Sequence, residues 1–377
     1  MSRIASLSRR KTRMVGLVVG SIVVLGGILA WAGRDPAPPR RLIAAPDASR
    51  PQGFTADGRS FVTLSPEGVV FWDSTTGQPR RPWTLRAIPI SAFSADGRTC
   101  VGEHGYDHES AKIAWVDVAS GEVKANFFAK LPRVVHLSFT DGDRSIRAFL
   151  ADRTGTLREV VTWDLATGAE TRRPLTGPKK GGGGGEAWPA GVSRDGRVLA
   201  FLDLVRNGVQ LWDAEADQPL GGLLRTPSTQ LVQSYDSAAF TPGDDRLIIS
   251  RADGAVEVWN LADRRWLRTI PVHPAGHVAI GLQIAPDGRT LASSRFHHAG
   301  PSWASRFWSG LTKALGLPSG QGRSDEVVVV DLQTGDRLAR WPGSFQPRFS
   351  PDGRTIVTHE SWLGTFAIRD APRPPAR

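Results

Sequence analysis

Residues 42–370 of this 377-residue chain read as all-β: seven four-stranded antiparallel units closed into a ring, with one membrane-spanning helix ahead of them. Three observations lead there. An Asp-Gly pair, or its inverse, opens each of seven successive units along these residues. Each pair is followed by a short apolar strand and then by a second strand that ends in an acidic or amide residue. Before the first pair, Met14 to Ala32 runs nineteen residues without a charge.

The unit is clearest at Ala238 to Ile270, which reads strand, polar turn, strand, Asp-Gly turn, strand, turn, strand. Val256 and Val258 alternate with other residues, while Leu247, Ile248 and Ile249 run on without a break. That mixture suits strands covered on both faces. Four strands cannot cover both of their own faces, so the unit needs copies beside it. The turns recur at Asp57-Gly58, Asp96-Gly97, Asp141-Gly142, Asp195-Gly196, Gly243-Asp244, Asp287-Gly288 and Asp352-Gly353. The strand ends that answer them are Trp72-Asp73, Val116-Asp117, Trp163-Asp164, Trp212-Asp213, Trp259-Asn260, Val330-Asp331 and Arg369-Asp370.

Phe349-Ser350-Pro351-Asp352-Gly353-Arg354 and Leu211-Trp212-Asp213 resemble the repeat of the WD-repeat β-propeller family, and the resemblance covers roughly residues 42 to 370. It implies a seven-bladed propeller, here a membrane-anchored member, and an interaction platform rather than an enzyme. The chain departs from the family pattern in one respect. The Gly-His pair that opens many family repeats appears only at Gly276-His277, so the buried polar network built on that histidine is expected in one blade.

Residues 1–13 carry Arg3, Arg9, Arg10, Lys11 and Arg13 and no acid. A helix over 14–32 is about 28 Å long, enough to cross a bilayer core. Its basic flank stays in the cytoplasm, which makes 14–32 a signal-anchor in contact with lipid and puts everything from Gly33 onward outside. Heavy use of Arg over Lys matches a GC-rich bacterial genome, so the membrane is expected to be the bacterial inner membrane. Ala30-Trp31-Ala32 has the form of a signal-peptidase site, and cleavage near Ala32 is the competing reading.

The formal net charge of +10 would suit a nucleic-acid partner if it lay on the globular part. It does not. Ten of the 47 basic residues lie outside 42–370, against one of the 37 acids, which leaves that region nearly neutral. The basic ends fit membrane orientation and anionic lipid, and no nucleic-acid partner is expected. The single cysteine, Cys100, excludes an intrachain disulfide and reads as a buried thiol.

Residues 33–41 form a Pro-rich linker of about 25 Å reach. The Pro/Arg tail, 371–377, forbids a further strand after Asp370. The seventh unit therefore lacks its outer strand and the first has one to spare. Leu42 to Ala45 is expected to pair onto the seventh unit and remove two exposed edges.

Up-and-down blades turn alternately on two faces. The Asp-Gly turns and the Thr-Gly turns (Thr76-Gly77, Thr167-Gly168, Thr334-Gly335) share the first face. The long segments share the second: a Glu103-to-Ala111 loop, a Gly-rich connector near 179–186, and a 295–324 insertion in blade 6. Long loops in compact domains tend to carry function, so this face is the candidate working surface. In the insertion Trp303, Phe307, Leu311, Ala314 and Leu315 share one helical face, with Trp308 at its edge. Such a stripe packs on its own propeller, fits a partner's groove, or reads a membrane surface. In blade 2, His104, Tyr106 and His108 join the candidate partner-binding set. The run His104-Gly105-Tyr106-Asp107-His108 lacks a third fixed metal ligand and reads as a solvated loop.

No phosphate-binding loop, nucleophile elbow or zinc-peptidase helix is present, and no cofactor is called for. One enzymatic alternative stands beside the platform reading. Asp331-Leu332-Gln333-Thr334-Gly335 leading to Trp341 resembles the repeat motif of pyrroloquinoline-quinone dehydrogenase propellers, with the Trp two residues late.

Overall fold

Every regular element described is a β-strand. The computed structural model describes residues 39–44, 50–65, 68–82, 88–106, 110–178, 188–203, 206–225, 238–275, 277–297, 326–360 and 365–374. The expected helix at 14–32 lies outside them, and among the described residues no helix is long and apolar enough to cross a membrane.

Seven antiparallel sheets follow one another along the chain. After β1 (Arg41–Ala44), blade 1 comprises β2 (Arg50–Phe54), β3 (Ser60–Ser65), β4 (Gly68–Asp73) and β5 (Pro79–Pro82). Blade 2 holds β6 (Ile90–Phe93), β7 (Thr99–Tyr106), β8 (Ala111–Asp117) and β9 (Val123–Ala129). Blade 3 holds β10 (Arg133–Thr140), β11 (Ser145–Ala151), β12 (Leu157–Asp164) and β13 (Glu170–Pro174). In blade 4, β14 (Trp188–Val192), β15 (Val198–Asp203) and β16 (Gly208–Asp213) precede an outer strand broken into β17 (Gln218–Pro219) and β18 (Leu224–Arg225). Blade 5 is β19 (Ala238–Phe240), β20 (Arg246–Ser250), β21 (Ala255–Asn260) and β22 (Arg265–Pro271). Blade 6 is β23 (His277–Ile284), β24 (Thr290–His297), β25 (Glu326–Asp331) and β26 (Arg337–Pro342), and blade 7 is β27 (Ser344–Phe349), β28 (Thr355–Glu360) and β29 (Thr365–Asp370). The outer strand of blade 7 is β1, which pairs antiparallel with β29 from Arg41↔Ile368 to Ala44↔Thr365. The N-terminal strand thus closes the ring as the sequence suggested, one residue earlier than Leu42.

The core is seven separate clusters, one at each junction between neighbouring blades. In blade 5, Ile248, Val256 and Val258 face blade 6, while Leu247, Ile249 and Trp259 face blade 4. This is why the continuous apolar run and the alternating run coexist in one unit: both faces of each strand are interior. The strand-end Trp72, Trp163, Trp212 and Trp259 all face the preceding blade. Burying each large side chain there stabilises the ring by about 2–3 kcal/mol.

The Asp-Gly turns share one hydrogen-bond device. Ser350 Oγ donates to Asp352 Oδ1 (2.6 Å) and accepts from Thr355 N (2.9 Å), while Arg354 N donates to the same carboxylate (2.9 Å). Thr55 with Asp57, Ser94 with Asp96, and Ser193 with Asp195 repeat it. Blade 6 has Ala285 where the hydroxyl should be, and Thr290 Oγ1 donates to Asp287 Oδ2 from the other strand instead (2.8 Å). Asp141 departs from the expected role. It takes a left-handed backbone conformation (φ 55°), and in that turn, one residue shorter than its counterparts, it is Asp143 Oδ2 that accepts, from Ala95 N of blade 2 (2.6 Å). In blade 5 Asp244 likewise adopts the left-handed conformation (φ 52°) and Asp245 becomes the acceptor for Thr241 (2.6 Å). The strand-end acids close the other turns on this face. Asp73, Asp117, Asp164, Asp213 and Asp331 each accept backbone N–H groups two or three residues on, and Asn260 accepts from Asp263 N.

Arginines on the outer strands tie neighbouring blades together at alternate junctions. Arg173 of β13 donates to the carbonyls of Ala214 (2.8 Å) and Glu215 (2.5 Å) in the outer turn of blade 4. Arg268 of β22 does the same to Gln333 O of blade 6, and Arg41 of β1 to Thr76 O of blade 1. The last contact explains one glycine. A Cβ on Gly77 (φ +67°) would stand 2.6 Å from Arg41 Cδ, so a side chain there would push the Arg41 side chain aside.

Candidate functional site

Antiparallel order places the two strand ends that bracket the blade 6 insertion, at His297 and Glu326, on the second face. β24 runs through Arg295 to His297, so that insertion starts later than sequence boundaries suggested. In blade 2 the correction is larger. His104 and Tyr106 belong to β7, because Tyr106 pairs with Ala111 after a register shift that begins at Glu103 and takes up Gly105. The expected loop shrinks accordingly. Among the expected partner-binding residues, Trp303, Phe307, Trp308, Leu311 and His108 lie outside the described residues, and the side chains of His104 and Tyr106 do too.

A buried ionic cluster sits at the base of the blade 6 insertion, and sequence reasoning missed it. Glu326, the first residue of β25, is 1% exposed. Its Oε1 is held by Arg340 Nε of β26, and its Oε2 lies 3.4 Å from Arg295 Nη1 of β24 and 3.9 Å from His273 Nδ1. Burial alone pushes the Glu326 carboxyl up, but the His273 and Arg340 side chains and the charges of Arg295 and Arg340 outweigh it and hold the group at about 2. Burial holds His273 below the usual imidazole value despite Glu326 beside it, so it is neutral at pH 7. Its Nε2 lies 3.1 Å from Ser293 Oγ.

The Gly-His pattern marked His277, which pairs through its backbone with His297 of β24, while His273, four residues earlier, sets its ring beside Ser293 of the same strand. The backbone decides this. Val272 N and His273 N both donate to Gly254 O, which folds the connector against the β20–β21 turn and aims the His273 ring inward. Ser293, His273 and Glu326 stand in the order of nucleophile, base and acid. All three are enclosed, however, and the 3.9 Å gap is beyond a hydrogen bond. The arrangement works as a clamp that joins β24, β25, β26 and the blade 5 connector.

Two more buried glutamates extend this polar sector along the second-face side of blades 5 and 7. Glu360, the last residue of β28, accepts from Ser344 Oγ (2.7 Å) and Thr358 Oγ1 (2.9 Å) and pairs with Arg369 Nη2 (3.2 Å). Arg369 also lies over the Trp341 ring, 4.9 Å from its centroid. Glu257 of β21 accepts from Trp259 Nε1 (3.1 Å), and burial pushes its carboxyl up against the pull of that bond and of Arg251. The Asp331 of the quinoprotein-like motif is engaged at the first face, where Arg289 grips it through Nε (3.0 Å) and Nη2 (2.6 Å). Among the described residues no group of three or more His, Cys, Asp and Glu stands close enough to share a metal ion.

Seven four-stranded blades, the Ser/Thr–Asp turns and the Trp-Asp strand ends define a seven-bladed β-propeller with a WD-repeat-like fold. Among solved structures the chain is similar to the propeller domain of Myceliophteria thermophila Cps50 (Swd1). The two are 14% identical with a TM-score of 0.59, over 89% of this chain and 99% of that one. At that identity the likeness shows the fold. No protein-family model matches the chain, and no curated protein matches it.

Proposed function

We propose that the chain is a non-catalytic protein-interaction platform, tethered to the bacterial inner membrane by residues 14–32 and carrying its propeller on the extracytoplasmic side. The observation that supports this reading best is the clamp at Glu326. It spends a fully buried carboxylate and two arginines on fixing the two strand ends from which the insertion departs. An enclosed charge cluster is a costly way to stabilise a fold and a good way to specify geometry at one place. The partner then binds at the second face through Trp303, Phe307, Trp308 and Leu311, with His104, Tyr106 and His108 of blade 2 on the same side. The tether meets the propeller at Arg41, whose strand begins on the first face, and so it leaves the second face pointing away from the bilayer.

Cross-linking in native membranes followed by mass spectrometry tests the proposal, comparing the full chain with Trp303→Ser/Phe307→Ser. A cross-linked protein that disappears in the variant, at unchanged melting temperature, is the expected result. A lowered melting temperature would make the stripe part of the core, and lost binding to protein-free liposomes would make it a lipid reader. A phosphatase active only outside the cytoplasm, fused after Arg377, should be active and stay in the pellet after an alkaline wash. Its appearance in the soluble fraction would mean cleavage near Ala32.

A further inference from the structure

At the seam of the ring, on the first face, a cavity of about 440 Å³ is lined by Arg40, Asp352, Arg354, Thr355, Asp370, Ala371 and Arg373. It exists because the entering linker and the leaving tail cross the Asp-Gly turn of blade 7 side by side. Three guanidinium groups and two carboxylates meet there, and the carboxylates are already engaged. Asp370 pairs with Arg40, which also reaches Thr355 Oγ1 at 3.5 Å. Asp352 Oδ1 accepts from Ser350 Oγ and from Arg354 N. The Arg354 guanidinium comes no nearer to Asp352 than 3.9 Å, and among the described residues neither it nor that of Arg373 makes a hydrogen bond. Two planar donor forks, a hydroxyl and a net positive lining around one hollow form the donor set that matches a tetrahedral oxyanion.

We infer that this cavity binds a phosphate group, held by Arg354 and Arg373 with Arg40 and Thr355 at its wall. Two sources share that chemistry, the phosphodiester of an anionic lipid headgroup and free phosphate. The lipid source rests on the tethered reading above, because a tether entering at Arg41 holds this face against the headgroups. The phosphate chemistry itself does not depend on it.

Native mass spectrometry of the detergent-solubilised full chain separates these cases. The ligands are dioctanoyl phosphatidylglycerol, dioctanoylglycerol (the same chains without phosphate) and inorganic phosphate. The test variant is Arg354→Ala/Arg373→Ala. The control is Arg59→Ala/Arg98→Ala, which removes two exposed arginines of the same face, in the Asp-Gly turns of blades 1 and 2. All four side chains are exposed, so melting temperatures should stay unchanged and affinities compare directly. Phosphatidylglycerol should bind the wild type and the control alike and bind the cavity variant about tenfold or more weakly. Arg354→Lys/Arg373→Lys, which keeps the charge without the fork, should fall between. Inorganic phosphate that binds as tightly as the lipid, with the same variant dependence, would assign the site to free phosphate. Three results would overturn the inference: equal binding of dioctanoylglycerol, equal loss in the control, or no loss in the cavity variant. A chain that washes off membranes yet keeps the phosphate response would fail the tether and leave this site standing.

Discussion

Replacing Glu326 by Gln keeps the shape of the clamp and removes its charge. The carboxyl is held at about 2 against an ordinary 4.5. At about 1.4 kcal/mol per pH unit, that gap is worth about 3 kcal/mol. Glu326 is 1% exposed, but Arg340 is 43% exposed, and water at the arginine trims the figure to about 2–3 kcal/mol. Because the folded value lies below the unfolded one, the contribution is complete above pH 4.5 and is lost as the pH falls towards 2. Urea unfolding of the solubilised full chain, followed by tryptophan fluorescence, should show Glu326→Gln less stable by about 2–3 kcal/mol at pH 7 and by about 1 kcal/mol at pH 3. A difference under about 0.5 kcal/mol at pH 7, or one of equal size at both pH values, would refute the account of Glu326 as a charge held by two arginines.

Ile43→Asp, which puts a charge at a 3% exposed position of the closing strand, should cost about 3 kcal/mol or more. Hydrogen exchange should then quicken along Thr365–Asp370, and unchanged protection there would mean that β1 does not close the ring in solution. Asp352→Ala should lower stability by about 1–2 kcal/mol, because it strips the acceptor from Ser350 Oγ and Arg354 N. Asp141→Gly, which suits the left-handed backbone at that position, should stay within about 0.5 kcal/mol, and equal losses would show that the turns are not distinguished by their hydrogen bonds. Burial pushes the Cys100 thiol up to about 12, so iodoacetamide at pH 8 should label it only when the protein is unfolded.

What was legible in the sequence was whatever is decided within a few residues. An Asp-Gly turn needs an acceptor, a glycine at positive φ and a hydroxyl nearby, all in one short phrase. Phe349 to Arg354 therefore announces its own structure, and seven such phrases announce the ring. The closing strand was legible by subtraction, since Pro-rich sequence after Asp370 left a vacancy that only the N-terminus fills. The exceptions were legible only in part. Asp141 looks like its counterparts until its turn, one residue shorter than theirs, passes the acceptor role to Asp143.

Tertiary structure decided everything that depends on residues meeting across blades. Arg41 and Arg268 find backbone carbonyls 35 and 65 residues away, and a carbonyl has no sequence signature. Glu326 reads as a polar start to a four-valine strand. Its enclosure and its lowered pKa come from Arg295, Arg340 and His273, which three other segments deliver. The seating of His273 beside Ser293 is of the same kind, set by the two N–H groups that fold the connector onto Gly254 O. The cavity at the seam is the extreme case. Its lining comes from the linker, blade 7 and the tail, and these become neighbours only when the first strand of the chain pairs with the last. Turn chemistry is local and repeats, so sequence determines it. Charge placement depends on which strands are brought together, and only the closed ring brings them there.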